Sequence, residues 1–376
     1  MIGARSALTF LSAVALAGTL AACETSSREE NPPPVEANRP SEATATGRSL
    51  APPIRGITVS THRDGQDWGN YEIGPTFDEL KDLGTNWVAT HPYGWIRADG
   101  SVRFRSFDPE NPPAHLTRPI REAHARGLKI LIKPHLGYWR SPFRWRGDIT
   151  FEDDASWERF WTTYEAWITA IARASSGADA FVVGVELDRT LDHEARWREV
   201  IAAVRREIDA PLTYAANWPD FERVGFWDAL DLIGIQAYFP ILEGPFRPGP
   251  TPPLADLDAG WRRVMARLRT FADERERDIL FTELGYNRSL TAPVRPWEYA
   301  TDDGPEAEAV QQAALRAALA AVEEEPRVVG SFLWKWFPIP HQVGRDFQLA
   351  TPVMRRAIAD SWSDDSGAPI PGAPGE

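Results

Sequence analysis

Two glutamates stand directly after strongly apolar runs, where an unpaired carboxylate is costly to bury. Glu186 follows Phe181-Val-Val-Gly-Val185, and Glu283 follows Ile279-Leu-Phe-Thr282. Because burial disfavours a carboxylate that is neither paired nor protonated, such positions occur mainly at functional sites. Glycoside hydrolysis requires two carboxyl groups across one pocket, one as a proton donor and the other as an ionised nucleophile or stabilising charge. The alternative is that each glutamate is satisfied by a Lys, Arg or N–H partner and is structural.

Aromatic and polar residues recur at comparable positions along the chain, near the ends of other apolar runs. The candidate sugar-binding residues are His62, Trp68, His135, Asn217, Trp218, Tyr238, Trp334 and Trp336. The chain contains 16 Trp, whose flat apolar faces suit stacking on sugars, although most single Trp residues are expected in the core. The co-occurrence of these residues, rather than any one of them, predicts a cleft that binds carbohydrate.

Eight short apolar runs, most of them separated by segments with helical spacing, predict the elements that position these residues. The runs are Gly56–Ser60, Asn86–Thr90, Lys129–Lys133, Ala180–Glu186, Leu212–Ala216, Leu232–Gln236, Ile279–Glu283 and Val329–Trp336. Helical spacing is clearest in Trp157–Ile171, Trp197–Ile208 and Glu306–Glu325. Strands that alternate with helices imply right-handed βαβ units, and eight such units predict an α/β fold, the (β/α)8 TIM barrel, with its site at the carboxyl ends of the strands.

A doubly wound open sheet is the rival fold. It is disfavoured because no Gly-rich phosphate-binding loop follows any predicted strand. In the barrel, Glu186 ends the fourth strand and Glu283 ends the seventh, so the two lie nearly opposite each other on the ring and can face across a sugar.

Composition and motifs disfavour several other classes of function. The chain has 41 basic and 54 acidic side chains, and a formal net charge of −13 makes nucleic acid an unsuitable partner. Seven His residues show no His-Glu-x-x-His or comparable spacing, so we expect neither a metal site nor a cofactor. No Gly-x-Ser-x-Gly motif is present, which argues against a serine hydrolase.

The amino-terminal residues 1–22 have the layout of a secretory signal, with one charge at Arg5 and an apolar run too short to span a membrane. The run ends in Leu20-Ala-Ala-Cys23, which resembles the lipobox of bacterial lipoproteins, whose Cys is lipidated after cleavage. We therefore expect export and a lipid anchor at Cys23, and Glu24 is compatible with an outer membrane. A free Cys after an ordinary signal is the alternative.

Two segments with few large apolar side chains flank the predicted catalytic domain. Residues 23–53 are rich in Pro, Ser, Glu and Thr and predict a disordered tether, and residues 363–376 predict a disordered tail. This leaves residues 54–362 as one folded domain. The oligomeric state is not indicated by the sequence.

Several motifs together resemble glycoside hydrolase family 113, a group of clan A retaining enzymes. The matching segments are Trp145-Arg-Gly147, Tyr214-Ala-Ala-Asn-Trp218, Phe226-Trp227, Asp231-Leu-Ile-Gly-Ile-Gln-Ala-Tyr-Phe-Pro240, Phe281-Thr-Glu-Leu-Gly-Tyr286 and Phe332-Leu-Trp-Lys-Trp-Phe-Pro338. The resemblance implies a (β/α)8 barrel that hydrolyses β-1,4-mannan with retention, Glu186 being the acid/base and Glu283 the nucleophile. It also implies that Tyr238 hydrogen-bonds the nucleophile. Trp334 or Trp336 would form the floor of the −1 subsite.

One position departs from the pattern of many clan A enzymes, which place Asn directly before the acid/base. Here that residue is Val185, and the contact to the sugar 2-hydroxyl would fall to another side chain such as His135 or Asn217. The departure leaves open a retaining glycosidase for another β-glycan. A surface lipoprotein that binds glycan without cleaving it is a further alternative, which the presence of both glutamates disfavours.

Overall fold

The computed structural model describes residues 48–61, 65–108, 110–243, 251–299, 302–338 and 347–363. Within these ranges the strands are β1 (Ile54–Val59), β2 (Trp87–Thr90), β3 (Tyr93–Ile96), β4 (Val102–Arg103), β5 (Lys129–Ile132), β6 (His135–Gly137), β7 (Ala180–Val185), β8 (Leu212–Asn217), β9 (Ile233–Gln236), β10 (Ile279–Leu284) and β11 (Val328–Trp336). The helices are α1 (Ile73–Asp82), α2 (Ala114–His124), α3 (Asp154–Ala174), α4 (Glu194–Arg205), α5 (Leu254–Arg275), α6 (Pro305–Glu324) and α7 (Pro352–Trp362).

Eight of the strands close into a parallel barrel in the order β1–β11–β10–β9–β8–β7–β5–β2. Every barrel strand thus lies beside the preceding barrel strand in the chain, as right-handed βαβ units require. The predicted (β/α)8 TIM barrel is confirmed, and each predicted apolar run overlaps one of its strands. Glu186 follows the fourth barrel strand, β7, and Glu283 lies in the seventh, β10.

Barrel strands are buried on both faces, which explains why they read as continuous apolar runs instead of alternating ones. The barrel interior is packed with side chains such as Leu131, Val182, Leu280 and Phe332. Gly56 leaves the space that Phe332 fills, since a Cβ at position 56 would lie 2.4 Å from the Phe332 ring. The larger outer core, between strands and helices, includes the fully buried Trp167, Trp197 and Trp261, so many of the Trp residues are structural.

The chain before β1 closes the amino-terminal end of the barrel. Leu50 is 6% exposed and belongs to the apolar cluster inside the barrel, and the Arg48 backbone N–H donates to Asp231 Oδ1 at 3.3 Å. Residues 48–53 therefore pack on the barrel, whereas the sequence analysis assigns them to the tether. The difference arises because one leucine provides enough apolar surface to fix this short segment.

A three-stranded sheet of order β4–β3–β6 extends from the carboxyl end of the barrel. β3 follows β2 after two residues, β6 follows β5 after two residues, and Tyr93 pairs in parallel with His135. This sheet was not predicted. It raises one side of the barrel mouth above the strand ends, so that residues of this sheet and of the loop after it form part of the wall of the site.

No helix in the described part of the chain is long and apolar enough to cross a membrane. Residues 1–22, Cys23 and most of the expected tether and tail lie outside the described ranges, as does His62.

Candidate active site

Glu186 and Glu283 line one cavity at the carboxyl ends of the barrel strands. The cavity has a volume of about 780 Å³. Its wall contains both glutamates together with Tyr93, His135, Trp139, Trp145, Arg146, Asn217, Trp218, Tyr238, Trp297, Tyr299 and Trp334. The two carboxyl groups thus share one aromatic-walled space, as hydrolysis of a glycosidic bond requires.

Glu283 is 4% exposed and accepts a hydrogen bond on each carboxylate oxygen. Lys133 Nζ donates to Oε1 at 2.5 Å, and Tyr238 Oη donates to Oε2 at 2.6 Å. His135 Nε2 lies 3.8 Å from Oε1. Short charge-assisted bonds to both oxygens suit an acceptor-only carboxylate and fix its orientation. The ion pair is buried but lies in the cavity wall, so Glu283 still faces the site.

Lys133 is the cation that accompanies Glu283 in the interior. It is fully buried, and its ammonium also donates to the Thr282 carbonyl at 3.0 Å and lies 5.0 Å from the centroid of the Trp334 ring. Burial lowers the pKa of Lys133, while the Glu283 carboxylate acts in the opposite direction. The pair is therefore mutually dependent: removal of either member leaves a buried charge without its partner.

Glu186 has different surroundings, in which no cation lies as close. Its side chain is 16% exposed, Arg146 Nε lies 3.8 Å from Oε2, and the Trp145 indole N–H donates to the carboxylate. Burial raises the pKa of Glu186, and the charge of Glu283 raises it further, while Arg146 and Lys133 partly oppose the shift. A raised pKa keeps a carboxyl group protonated at higher pH, as a proton donor requires.

The backbone at Glu186 is in the left-handed region, with φ of 52°. This conformation is uncommon for a residue with a side chain and costs on the order of 1–3 kcal/mol. It is held by neighbouring strands: the Glu186 N–H donates to the Ala215 carbonyl at 3.0 Å, and the Leu187 N–H donates to Tyr214 Oη at 2.8 Å. The turn therefore ends β7 at the point where the carboxyl group enters the cavity.

Stacked rings support the floor of the cavity beside Glu283. His91, His135 and Trp334 pack against one another in a triangle, and His135 stacks on the other two rings with centroids 4.7 Å and 6.0 Å away, while the His91 and Trp334 centroids are 5.4 Å apart. Trp68 packs edge-on against His91 at 5.0 Å and donates from Nε1 to the Val59 carbonyl at 3.0 Å. Burial lowers the pKa of His91 and of His135 well below the usual value, so both rings are neutral and can stack without charge repulsion.

Exposed aromatic faces surround the opening. Trp297 is 42% exposed and stacks on Trp218 at 5.5 Å, and Trp139 and Tyr299 are 63% and 66% exposed. Large apolar groups that remain this exposed generally mark binding surfaces. Their flat faces provide the stacking platforms that a saccharide chain uses.

Asp188 and Asp220 form a carboxyl pair behind Glu186. Asp188 shares hydrogen bonds with Asp220 and with the Asn217 side chain, and burial followed by the charges of Asp220 and Glu186 raises the pKa of Asp188 to about 8. Asn217 Oδ1 also accepts from the Trp218 N–H at 3.1 Å. Asn217 is thus held between this pair and the wall of the cavity.

The structure brings most of the predicted site residues together. Glu186, Glu283, His135, Asn217, Trp218, Tyr238 and Trp334 all line the cavity. Trp68 lies behind His91 and is fully buried, so it supports the site without reaching a ligand.

Trp336 is the clearest difference from the sequence analysis, which expects it to bind sugar and allows either Trp334 or Trp336 as the floor of the −1 subsite. One step along β1, from Thr58 to Val59, is matched by two steps along β11, from Trp334 to Trp336. This bulge moves Trp336 to the opposite side of the sheet, where it is fully buried in the outer core under Arg355, 4.7 Å away. Trp334, rather than Trp336, is in the cavity.

Several residues of the site were not predicted as functional: Tyr93, Trp139, Trp145, Arg146, Trp297 and Tyr299 in the cavity wall, and Lys133, which is buried against Glu283. For Lys133 a signal was present, since it is one of only four Lys residues and directly follows an apolar run. The others lie in the small sheet or in loops, whose path the strand pattern does not determine.

The position before the acid/base candidate contributes packing and no polar contact. Val185 is 2% exposed and belongs to the cluster inside the barrel. His135 Nε2 is buried, has no hydrogen-bond partner and lies 3.8 Å from Glu283 Oε1. No group of three or more His, Cys, Asp or Glu side chains among the described residues is arranged to hold a metal ion.

Comparison with known proteins identifies a family and related folds. The sequence profile of Glycoside Hydrolase Family 113 matches residues 57–343. The chain is similar to a GH113 beta-mannanase from Alicyclobacillus acidocaldarius, with 27% identity, a TM-score of 0.70, and coverage of 83% of this chain and 97% of that one. No curated protein sequence matches.

Two further solved structures share the fold at lower identity. A GH113 beta-1,4-mannanase has 19% identity and a TM-score of 0.70, covering 83% of this chain and 99% of that one. A beta-glucuronidase from Ruminococcus gnavus has 16% identity and a TM-score of 0.52, covering 77% of this chain and 46% of that one.

Proposed function

Because the chain belongs to glycoside hydrolase family 113 and is a glycoside hydrolase, we propose that it cleaves β-1,4-linked mannan or manno-oligosaccharides with retention of configuration. The observation that carries this proposal is the contrast within one cavity: Glu283 accepts from Lys133 and Tyr238, while burial raises the pKa of Glu186. Likeness to a GH113 beta-mannanase supports the choice of substrate.

In the first step Glu186, protonated, gives its proton to the leaving oxygen while a Glu283 carboxylate oxygen attacks the anomeric carbon. The glycosidic bond breaks, the reducing-end fragment leaves as an alcohol, and the sugar is esterified to Glu283. When one Glu283 oxygen bonds to the sugar, the carboxylate becomes a neutral ester. The Lys133 and Tyr238 donors hold the carboxyl group in place for this attack. They position the nucleophile.

In the second step Glu186, now ionised, removes a proton from water, which attacks the anomeric carbon and releases Glu283. Two inversions at one carbon return the β configuration. Trp334 forms the floor under this sugar. His135 Nε2 and Asn217, which lie in the same wall, supply the contact to the 2-hydroxyl that Val185 cannot make.

The proposal is tested by incubating the full chain with mannan, glucomannan, xylan and cellulose, and by following the anomeric signals of the first product by proton NMR. We expect mannan and glucomannan to be cleaved and the β anomer to appear first. An initial α anomer would contradict retention. Cleavage of xylan or cellulose instead of mannan would contradict the proposed substrate but agree with the proposed reaction.

We also propose that the protein is exported and attached to the cell envelope by a lipid on Cys23, as its Leu20-Ala-Ala-Cys23 motif indicates. Cys23→Ser is expected to move the protein from the membrane fraction to the soluble fraction of the envelope. Unchanged fractionation of this variant would contradict the anchor.

A further inference from the structure

A second cavity of about 660 Å³ adjoins the catalytic one and contributes nothing to the chemistry described above. Tyr93 and Trp139 line both cavities, so they form the ridge between them. The second cavity is built on the small sheet and the segment that follows it: Trp95 lies in β3, Arg103 in β4, and Phe104 and Phe107 come next. A saccharide chain that leaves the catalytic cavity over Trp139 enters this space.

The charge of the second cavity is opposite to that of the whole chain. Its wall includes Arg97, Arg103, Arg105 and Arg140, and no Asp or Glu is among its described lining residues. The full chain has a formal net charge of −13, so the sign of this wall is the reverse of the balance of the chain. A cleft whose charged groups all have one sign concentrates ligands of the opposite charge.

None of the four guanidinium groups forms an ion pair or side-chain hydrogen bond with another described residue. The charge of Arg103 contributes slightly to the lowered pKa of Asp99, but the Asp99 carboxylate accepts its hydrogen bonds from the Ser101 hydroxyl and N–H, at 2.7 Å and 3.0 Å. Arg97 is half-buried, while Arg103, Arg105 and Arg140 are exposed. The donors of these side chains therefore remain available to a ligand.

Aromatic rings lie between the arginines, as sugar binding requires. Trp139 stacks on Tyr138 at 5.5 Å with an interplanar angle of 16° and is 63% exposed. Tyr93 meets Trp139 edge-on at 5.4 Å. Flat faces bind the sugar rings, and the planar guanidinium fork matches a carboxylate with two parallel hydrogen bonds.

We propose that this cavity is a subsite for carboxylate-bearing sugar units, and that the substrate is an acidic β-glycan carrying uronic acid. This inference rests on the proposed glycosidase function, because it assigns the second cavity to the same saccharide chain. The arginines bind and orient the acidic units, while Glu186 and Glu283 cleave a bond beyond Trp139. Arg103 and Arg105 contribute binding and take no part in the chemical step.

The test uses the full chain and a matched substrate pair: β-mannan oligosaccharides bearing glucuronic acid, and the same oligosaccharides after reduction of their carboxyl groups. We expect kcat/KM to be about tenfold higher for the acidic member at low salt, and this ratio to fall at 0.5 M salt because screening weakens exposed charge pairs. Equal kcat/KM for both members would overturn the subsite.

Two variants distinguish the effect of the arginines in the second cavity from the effect of the general charge of the protein. Arg103→Gln/Arg105→Gln is expected to lower the ratio of acidic to neutral kcat/KM about fivefold or more. The matched control is Arg356→Gln, an exposed arginine on α7 that lines neither cavity, and it is expected to leave the ratio as it is in the wild type. An equal change of this ratio in the double variant and in the control would overturn the inference.

Binding of the same pair to Glu283→Gln, measured by calorimetry, distinguishes this inference from the proposed function. Preference for the acidic member without hydrolysis of any substrate by the wild type would support the subsite and overturn the glycosidase proposal. Hydrolysis of both members by the wild type without any preference in rate or binding would overturn the subsite alone.

Discussion

The ends of β7 and β10 present the same residue type to the same cavity in opposite surroundings. Glu283 lies inside β10 and has a Lys133 donor at 2.5 Å and a Tyr238 donor at 2.6 Å. Glu186 lies just after a strand, with Arg146 at 3.8 Å, an indole donor, and burial that raises its pKa. In the proposed mechanism, the division between proton donor and nucleophile therefore follows from the neighbours of the two glutamates, since the residue type is the same.

The largest effect is expected from Glu283→Ala, which removes the nucleophile. We expect kcat/KM to fall by about 10⁴-fold or more, because no covalent intermediate forms. Azide added to the variant should restore turnover and give an α-configured glycosyl azide, detected by NMR. Glu274→Ala, an exposed glutamate on α5, is the control for a lost surface carboxyl group. Retained activity in Glu283→Ala would contradict the assignment.

Glu186→Gln removes the proton donor and should cost about 10²–10⁴-fold in kcat for natural linkages. Substrates with activated aryl leaving groups need no protonation, and their first step should be much less affected. The fall in activity at alkaline pH should also disappear, since in the wild type it follows loss of the Glu186 proton. Equal losses with both kinds of leaving group would show that Glu186 is not the acid.

Lys133→Met tests the cation beside the nucleophile, and we expect kcat/KM to fall about 10²-fold because Glu283 loses its charge-assisted bond. A buried carboxylate left without its partner also destabilises the fold. Tyr238→Phe is therefore the second variant: it keeps the ring, removes one hydroxyl, and should cost about tenfold. Melting curves distinguish lost activity from lost structure, and wild-type kinetics in both variants would contradict the positioning role.

Arg146→Met tests the cation beside the acid and should have the smallest effect on the maximum rate. Arg146 lowers the pKa of Glu186, so its removal lets that pKa rise further. Glu186 then keeps its proton to higher pH, and the alkaline limb of kcat/KM should move up by about half a unit to one unit. Arg356→Met is the control. A shift of the alkaline limb to lower pH in Arg146→Met would contradict the expected direction.

The sequence was sufficient to predict the barrel because each barrel strand is an apolar run and most of these runs are separated from the next by a helix. It also placed both glutamates, since a carboxylate at the end of such a run has few structural explanations. The family resemblance added the role of Tyr238, whose bond to Glu283 the structure contains.

The features of the site that could not be predicted from the sequence depend on local irregularity in a strand or on contacts between residues far apart in the chain. A bulge in β11 separates Trp334 from Trp336, although strand periodicity puts them on one face. Lys133 and Glu283 are 150 positions apart, so their ion pair follows only from closure of the barrel. Of the four arginines of the second cavity, Arg103 lies in the small sheet and the other three follow its strands, and no strong periodic pattern predicts that sheet.

The left-handed backbone at Glu186 has an evolutionary consequence. A glycine at this position would relax the backbone and remove a buried carboxyl group, so Glu186→Gly should melt at a higher temperature than the active enzyme. Substitutions selected for stability alone would therefore remove the carboxyl group at this position first, whereas the backbone of Glu283 is not left-handed and glycine would bring no such relief there. In this barrel, persistence of an acidic residue at 186 is a sign of selection for turnover.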